Sequence, residues 1–105
     1  MFIIYEVNLK IEPQIKQLFL SWLNEHIEAM LRITGFQTAT VYTDMDQDDM
    51  VVHYHISDQK CLEDYFKLHA QKMREDGLNR FGTQFSATRR VLQPITANAK
   101  NETGI

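Results

Sequence analysis

The chain has 105 residues and a mass of 12.4 kDa, and 44% of its residues are hydrophobic and 24% are charged, which is typical of one small globular domain. Its 14 acidic and 11 basic residues give a net charge of -3. This balance disfavours nucleic-acid and anionic-membrane binders, because both need a basic surface. The one cysteine, Cys61, cannot form an internal disulfide, and no apolar run is long enough to span a membrane. We therefore expect a cytoplasmic protein.

The first half of the chain predicts a strand, a long helix and a hairpin. Residues 2–11 alternate with period two. Pro13 suits a first helical turn, and apolar residues then recur at three- and four-residue spacing as far as Gly35. Residues 36–43 and 50–56 are rich in β-branched and aromatic side chains on either side of the acidic segment DMDQDD, which predicts a hairpin with an acidic loop.

The second half predicts one more helix and one more strand. Ser57 or Asp58 can cap a helix with an apolar stripe, and Gly77 is a natural place for that helix to end. A final strand over residues 83–92 follows. The residues after Pro94 are polar and show no periodicity, which is typical of a terminal tail.

The element order β-α-β-β-α-β predicts an α+β fold of the ferredoxin-like type. Right-handed crossovers then give a four-stranded antiparallel sheet of order 4-1-3-2, with both helices on one face. Residues 1–94 form this domain, and residues 95–105 form a flexible tail. The other sheet face is open and projects roughly 440 Å². A partly apolar patch of this size predicts a partner.

The alternation within each strand assigns side chains to the two sheet faces. The helix-facing set is Ile3, Tyr5, Val7 and Leu9 on the first strand and Val52, Tyr54 and Ile56 on the third. The open face then carries Glu6, His53 and His55, and a register that sets Glu6 beside His53 would form a carboxylate–imidazole pair with Arg90 one strand away. The i, i+2 spacing of the two histidines suits two metal ligands, but a third is not evident, so we predict a small-molecule contact or ordinary strand histidines.

The acidic loop has part of a calcium-binding pattern. Asp44, Asp46 and Asp48 occupy its positions 1, 3 and 5, but Asp49 stands where glycine is needed and His55 where a bidentate glutamate is needed. We therefore predict a solvated hairpin tip and no metal.

The strongest catalytic candidates are His26 and His69, because each lies on the apolar stripe of its helix. One alternative is a pair of core-edge histidines with structural roles. The other is a shared cleft in which burial lowers both pKa values and makes a general base. Trp22, one turn before His26, would supply an aromatic wall, and Tyr54 would face the same cleft.

Four arginines lie within seventeen residues, and they are Arg74, Arg80, Arg89 and Arg90. Their guanidinium groups could clamp a carboxylate or phosphate. Alternatively, Arg74 complements a helix end and Arg89 or Arg90 pairs with Glu6 or Glu12 across a dimer interface. The chain has no Gly-rich phosphate loop, CxxC, nucleophile elbow or HExxH, so we predict no cofactor.

Four segments resemble a family of uncharacterised small bacterial proteins in the dimeric α+β barrel superfamily. They are FIIYEVNLKI, WLNEHIEAML with the following Gly35-Phe36, DYFKLHAQKMREDGLNRFG and FSATRRVL. The resemblance covers residues 1–94, and its most specific positions are Trp22, His26, His69, Arg80 and Phe81. It implies the ferredoxin-like fold and a homodimer whose open sheet faces close a barrel, and it implies no particular activity.

Two functions remain open at this point. One is a small-molecule binder or enzyme with a pocket between helices and sheet, similar to the cofactor-independent monooxygenases and isomerases of the superfamily. The other is a non-catalytic homodimeric module with a structural or regulatory role. A cavity under about 150 Å³ near His26 and His69 would favour the module, because sites for small ligands usually enclose about 300 Å³ or more.

Overall fold

The computed structural model describes residues 2–100. Over this range the chain forms four strands, three α-helices and two short 3-10 turns, at Pro13–Ile15 and Gly82–Gln84. The strands are β1 (Ile3–Ile11), β2 (Phe36–Thr43), β3 (Met50–Ile56) and β4 (Phe85–Leu92), and the helices are α1 (Lys16–Met30), α2 (Gln59–Leu68) and α3 (Ala70–Phe81).

The four strands form one antiparallel sheet of order β2-β3-β1-β4. This is the predicted order 4-1-3-2 read from the other edge, so the predicted ferredoxin-like topology is confirmed. The predicted faces are confirmed as well, because Tyr5, Val52 and Ile56 are at most 1% exposed beneath the helices. The register pairs Glu6 with His53 on one side and with Arg90 on the other.

The helix layer differs from the prediction in its second half. Instead of one helix there are two, and the chain bends at His69, which has φ -129° and ψ -29° between α2 and α3. Asp58 caps α2 by accepting a hydrogen bond from the Cys61 amide at 2.9 Å. The helical path continues past the predicted end at Gly77 and stops at Gly82, whose φ is 57°.

Gly77 serves close packing rather than helix termination. It is buried inside α3, and a Cβ at this position would lie 3.0 Å from Trp22 Cη2 and 3.2 Å from Phe85 Cζ. A missing side chain therefore lets α3 approach both α1 and β4. β4 begins at Phe85 and not at Thr83, because the 3-10 turn over Gly82–Gln84 occupies the residues between α3 and the strand.

The acidic loop between β2 and β3 is a hydrogen-bonded turn. The Asp44 carboxylate accepts from the amides of Asp46 and Gln47 at 2.9 and 3.1 Å. Asp49 is 9% exposed and pairs with Lys10 at 3.4 Å, so it differs from the fully solvated tip we expected. At the other end of the chain, residues 93–100 form no helix or strand, and residues 101–105 of the predicted tail lie outside the described range.

Candidate functional site

A cavity of about 50 Å³ lies between the helices and the sheet. Its floor comes from β1 and β3, and includes Tyr5 and Tyr54. Its helical wall carries Trp22 and His26 from α1. At the rim, Met73, Arg74 and Arg89 supply long unbranched side chains. We call this feature the helix–sheet pocket. Its volume is enough for a few water molecules, and it is smaller than ordinary small-molecule sites.

His26 is the titratable base of the helix–sheet pocket. Its ring is partly buried and stacks on the Trp22 indole, with ring centres 4.7 Å apart and planes inclined by 23°. Burial lowers the pKa of His26 below its ordinary value of 6.5, with the positive charge of Arg89 acting in the same direction and Asp76 opposing it. Neither ring nitrogen hydrogen-bonds to another described residue. His26 therefore presents a neutral imidazole at neutral pH.

Three phenols line the helix–sheet pocket, with Tyr5 and Tyr54 on its floor and Tyr65 reaching it from α2. The Tyr5 ring lies 6.1 Å from Tyr54 and 5.8 Å from Tyr65, centre to centre. Burial raises the pKa of Tyr65 to about 12, and burial together with the neighbouring phenols raises the pKa of Tyr54 still further. Both phenols are therefore neutral hydrogen-bond donors at physiological pH.

The four arginines of the predicted clamp lie at three separate places. Arg74 and Arg89 line the helix–sheet pocket. Arg90, one residue further along β4, points to the opposite sheet face and binds Glu6. Arg80 is exposed on α3, with its guanidinium 5.6 Å from the centre of the Phe81 ring, and does not line the pocket. The single clamp of four arginines therefore does not form.

His69 does not share a cleft with His26. It is exposed at the bend between α2 and α3 and lines a separate hollow of about 170 Å³ with Cys61 and Asp64. The expectation of a shared cleft assumed an unbroken helix, in which His69 would continue the apolar stripe. The bend moves the buried stripe from Tyr65 to Ala70 and leaves His69 exposed, so the predicted catalytic pair reduces to His26.

On the open sheet face, Glu6 is held between His53 and Arg90. His53 Nε2 lies 2.8 Å from Glu6 Oε1, and Arg90 Nη2 donates to the same oxygen at 3.4 Å while its Nε binds the other oxygen. The Arg90 hydrogen bond is the main cause that lowers the pKa of Glu6, and the His53 bond adds to it. The carboxylate–imidazole pair predicted from strand alternation is therefore present.

The remaining histidine also lies on the open face, away from the helix–sheet pocket. His55 stacks on Phe2, with ring centres 4.9 Å apart and planes inclined by 11°. Tyr42 meets the His53 ring edge-on at 5.0 Å. His53, His55, Glu6 and Arg90, which we expected to contact a ligand, thus form a surface of paired charges and stacked rings rather than part of the pocket.

Residues 2–100 contain neither a group of metal ligands nor a membrane-spanning helix. No three histidine, cysteine, aspartate or glutamate side chains are grouped so that they could hold a metal ion. No helix in this range is both long and apolar enough to cross a membrane.

Sequence reasoning missed Tyr5 and Tyr65 as pocket residues, because buried tyrosines are ordinary core residues by pattern alone. A signal for Arg89 was available in the strand pattern. It occupies the same face as Phe85 and Ala87, and a charge in that series marks a departure from a purely structural core.

Comparison with known proteins gives a family but no activity. The model of the family described as Domain of unknown function (DUF4286) matches residues 2–95, while no curated protein matches the chain. A solved structure with the same fold is a proposed antibiotic biosynthesis monooxygenase from Deinococcus radiodurans. Its TM-score is 0.73 at 12% identity, covering 94% of this chain and 98% of that one.

Two further structures show the same fold at similarly low identity. SnoaB, a cofactor-independent oxygenase from Streptomyces nogalater, has a TM-score of 0.66 at 11% identity, with 94% of this chain and 96% of that chain covered. A conserved protein from Methanosarcina mazei has a TM-score of 0.70 at 12% identity, with 89% and 92% covered. At these identities the likeness concerns the fold alone. Because the family model spans nearly the whole chain, this protein belongs to the family described as Domain of unknown function (DUF4286), and its fold is the one that these solved structures share.

Proposed function

We propose that the protein binds a small organic molecule in the helix–sheet pocket and that His26 accepts a proton from it. The observation that carries the proposal is His26 itself, a neutral imidazole with two unengaged nitrogens that stacks on Trp22 at the wall of an otherwise aromatic cavity. A structural histidine at a core edge would satisfy one nitrogen with a hydrogen bond, whereas a general base needs a nitrogen that a ligand can reach.

Proton transfer to His26 is the chemistry that the pocket supports without a cofactor. The proton leaves a carbon or oxygen acid of the ligand, and its electron pair stays on the ligand as an enolate or phenolate. Phenol hydroxyls and guanidinium groups nearby stabilise the negative oxygen that results. Return of the proton to another carbon completes an isomerisation, while reaction of the anion with molecular oxygen starts an oxygenation. The fold shared with SnoaB, named as a cofactor-independent oxygenase, supports the second course.

The pocket must enlarge before such a ligand enters. Its volume of about 50 Å³ is below the roughly 150 Å³ under which a cavity favours the non-catalytic module. Three rim side chains, Met73, Arg74 and Arg89, are unbranched, and both arginines are exposed. Rotamer changes of these side chains widen the pocket without movement of the backbone.

A screen by thermal shift tests the proposal. Flavins, haem, divalent metals and small aromatic acids are added to the native protein and to the His26→Ala and His69→Ala variants. We expect an aromatic compound to raise the Tm of the native protein, with the shift reduced in His26→Ala and retained in His69→Ala. The proposal fails if no organic compound stabilises the native protein, or if a stabilising compound acts equally on His26→Ala.

The small cavity also favours a second candidate, a homodimeric module without a ligand. In either case we propose that two copies pack through the open sheet face, as the barrel arrangement requires. This face carries two exposed rings, Tyr42 against His53 and Phe2 against His55, which are 49% and 39% exposed, and exposed apolar rings are typical of an interface. We also propose a cytoplasmic location, because the single cysteine forms no disulfide and thiols stay reduced in that compartment.

Light scattering after size exclusion measures the assembly directly. The native protein should elute as a dimer and Tyr42→Arg as a monomer, while Met45→Arg should remain a dimer because Met45 is 95% exposed in the hairpin loop. A monomeric native protein, or dissociation in both variants, would contradict the proposed interface.

A further inference from the structure

The helix–sheet pocket contains two arginines on separate elements. Arg89 pairs with Val7 across β4 and β1, and both line the pocket, so Arg89 lies on the helix-facing side of the sheet. Arg74 reaches the same pocket from α3. On β4, Arg89 lies on the same side as Phe85 and Ala87, and this side faces the core. A positive charge at such a position is unusual.

Neither arginine is neutralised by a carboxylate within residues 2–100. The ion pairs of this range join lysines, His53 and Arg90 to acidic groups, and none involves Arg74 or Arg89. Arg74 Nη2 donates one hydrogen bond, to Tyr5 Oη at 3.4 Å. Each guanidinium has five N–H donors, so most of the donors at the rim are available to a ligand.

The Asp76 carboxylate acts electrostatically on His26, but it does not line the pocket. No aspartate or glutamate lines it, and its other polar groups are His26 and the phenols of Tyr5, Tyr54 and Tyr65. The imidazole is neutral because burial lowers the pKa of His26, and the phenols of Tyr54 and Tyr65 are protonated because burial raises their pKa values. A ligand that enters therefore meets two positive charges and several hydrogen-bond donors.

The apolar part of the wall is largely aromatic. Phe19 lies between Trp22 and Phe85, with ring centres 5.3 and 5.0 Å away, respectively. Flat aromatic surfaces of this kind pack best against another flat ring. Together with the two guanidinium groups, they specify a ligand that has a ring at one end and an anionic oxygen at the other.

We propose that the helix–sheet pocket selects aromatic carboxylates, whose ring packs beside Trp22 and whose carboxylate is held by Arg74 and Arg89. This inference rests on the proposed binding function and adds the substrate class. A different reason for Arg89 would be protection of the edge strand β4, since an inward-pointing charge discourages pairing with another sheet. That role explains neither the second arginine nor the absence of an acidic partner in the pocket.

Isothermal titration with three probes tests the proposal. Benzoate carries the ring and the charge, benzamide carries the ring alone, and cyclohexanecarboxylate carries the charge without an aromatic ring. The native protein should bind benzoate roughly tenfold or more tightly than benzamide, because a charge-assisted hydrogen bond contributes about that factor. Cyclohexanecarboxylate should also bind more weakly than benzoate.

Matched charge variants complete the test. Arg89→Met and Arg74→Met each keep the length of the side chain and remove one positive charge, and Arg32→Met removes the same charge from an exposed position outside the pocket. We expect benzoate affinity to fall roughly tenfold in each pocket variant and to stay unchanged in Arg32→Met, with benzamide affinity equal in all four proteins. A near-ultraviolet circular dichroism spectrum confirms that each variant is folded.

The outcomes separate the two proposals. If benzamide binds as tightly as benzoate, or if Arg32→Met weakens benzoate as much as Arg89→Met does, selection for an anion is wrong and the binding pocket stands. If none of the three probes binds the native protein, selection for aromatic carboxylates is wrong, and the thermal-shift screen then decides separately whether the pocket binds another organic molecule.

Discussion

Gly35 lies so close to Cys61 that the substitution Gly35→Ala should destabilise the protein. Gly35 leads into β2 with φ 87°, a conformation that L side chains rarely adopt. A Cβ added there would lie 2.4 Å from Cys61 Cβ and 2.5 Å from its Sγ in the first turn of α2. Gly35→Ala therefore combines an unfavourable backbone angle with a collision between two structural elements.

The backbone angle and the steric collision each contribute to the cost of Gly35→Ala. A left-handed conformation costs a residue with a Cβ roughly 1–2 kcal/mol, and overpacking at a tight contact costs roughly 1–3 kcal/mol. Their sum, about 2–5 kcal/mol, is a large part of the 5–15 kcal/mol that stabilises a typical domain. In a chain of this size it lowers the Tm by at least about 8 °C.

Urea unfolding of a double-mutant cycle measures the steric share separately. Cys61→Gly removes the Cβ and Sγ with which the new methyl group collides, but leaves the backbone angle of Gly35 unchanged. We therefore expect Gly35→Ala to cost at least about 1 kcal/mol less in the Cys61→Gly background than in the native one. Equal costs in both backgrounds would refute the steric reasoning, and a native-like stability of Gly35→Ala would refute the whole account of this contact.

Three further predictions concern the pocket and the open face. Burial lowers the pKa of His26, so the unfolded chain takes up a proton there more readily than the folded one. The contribution of His26 to stability is therefore complete above about pH 6.5 and is lost as the pH falls towards the lowered pKa of the folded state. Between neutral and mildly acidic pH, the free energy of unfolding should fall less in His26→Phe than in the native protein. The pKa of Glu6 is lowered mainly by Arg90, so its contribution is present above about pH 4.5 and is lost as the pH falls through the lowered value. Glu6→Gln should lower the free energy of unfolding by roughly 1 kcal/mol at neutral pH and should reduce the loss of stability at acidic pH. An unchanged loss of stability at acidic pH would contradict the ion pairing. Gly77→Val should cost roughly 1–3 kcal/mol by overpacking against Trp22 and shift its emission spectrum; an unshifted spectrum would contradict the close approach.

The sheet could be predicted from the sequence because alternation determines which residues share a face. Once Tyr5 and Tyr54 were placed beneath the helices, Glu6 and His53 had to lie on the other side, and their pairing in the structure follows from the antiparallel register. Only a one-residue slip would have changed the face, and the buried apolar set excludes it.

The helices were harder to predict because glycine has two opposite uses. Gly77 reads as a helix end, but its role depends on Trp22 and Phe85, which approach it from distant parts of the chain. The bend at His69 likewise has no local signal such as proline. The candidate site was therefore only partly predictable: Trp22, His26 and Tyr54 lie together as expected, whereas His69 and Arg80 lie elsewhere.

The fluorescence of Trp22 tests the central claim most directly. It is the only tryptophan of the chain, it stacks on His26 and it forms part of the pocket wall, so its emission reports on this site alone. Titration with benzoate should give a saturable change in the native protein that is greatly weakened in Arg89→Met. The absence of any saturable change in the folded native protein would contradict the claim that the helix–sheet pocket binds a ligand of this class.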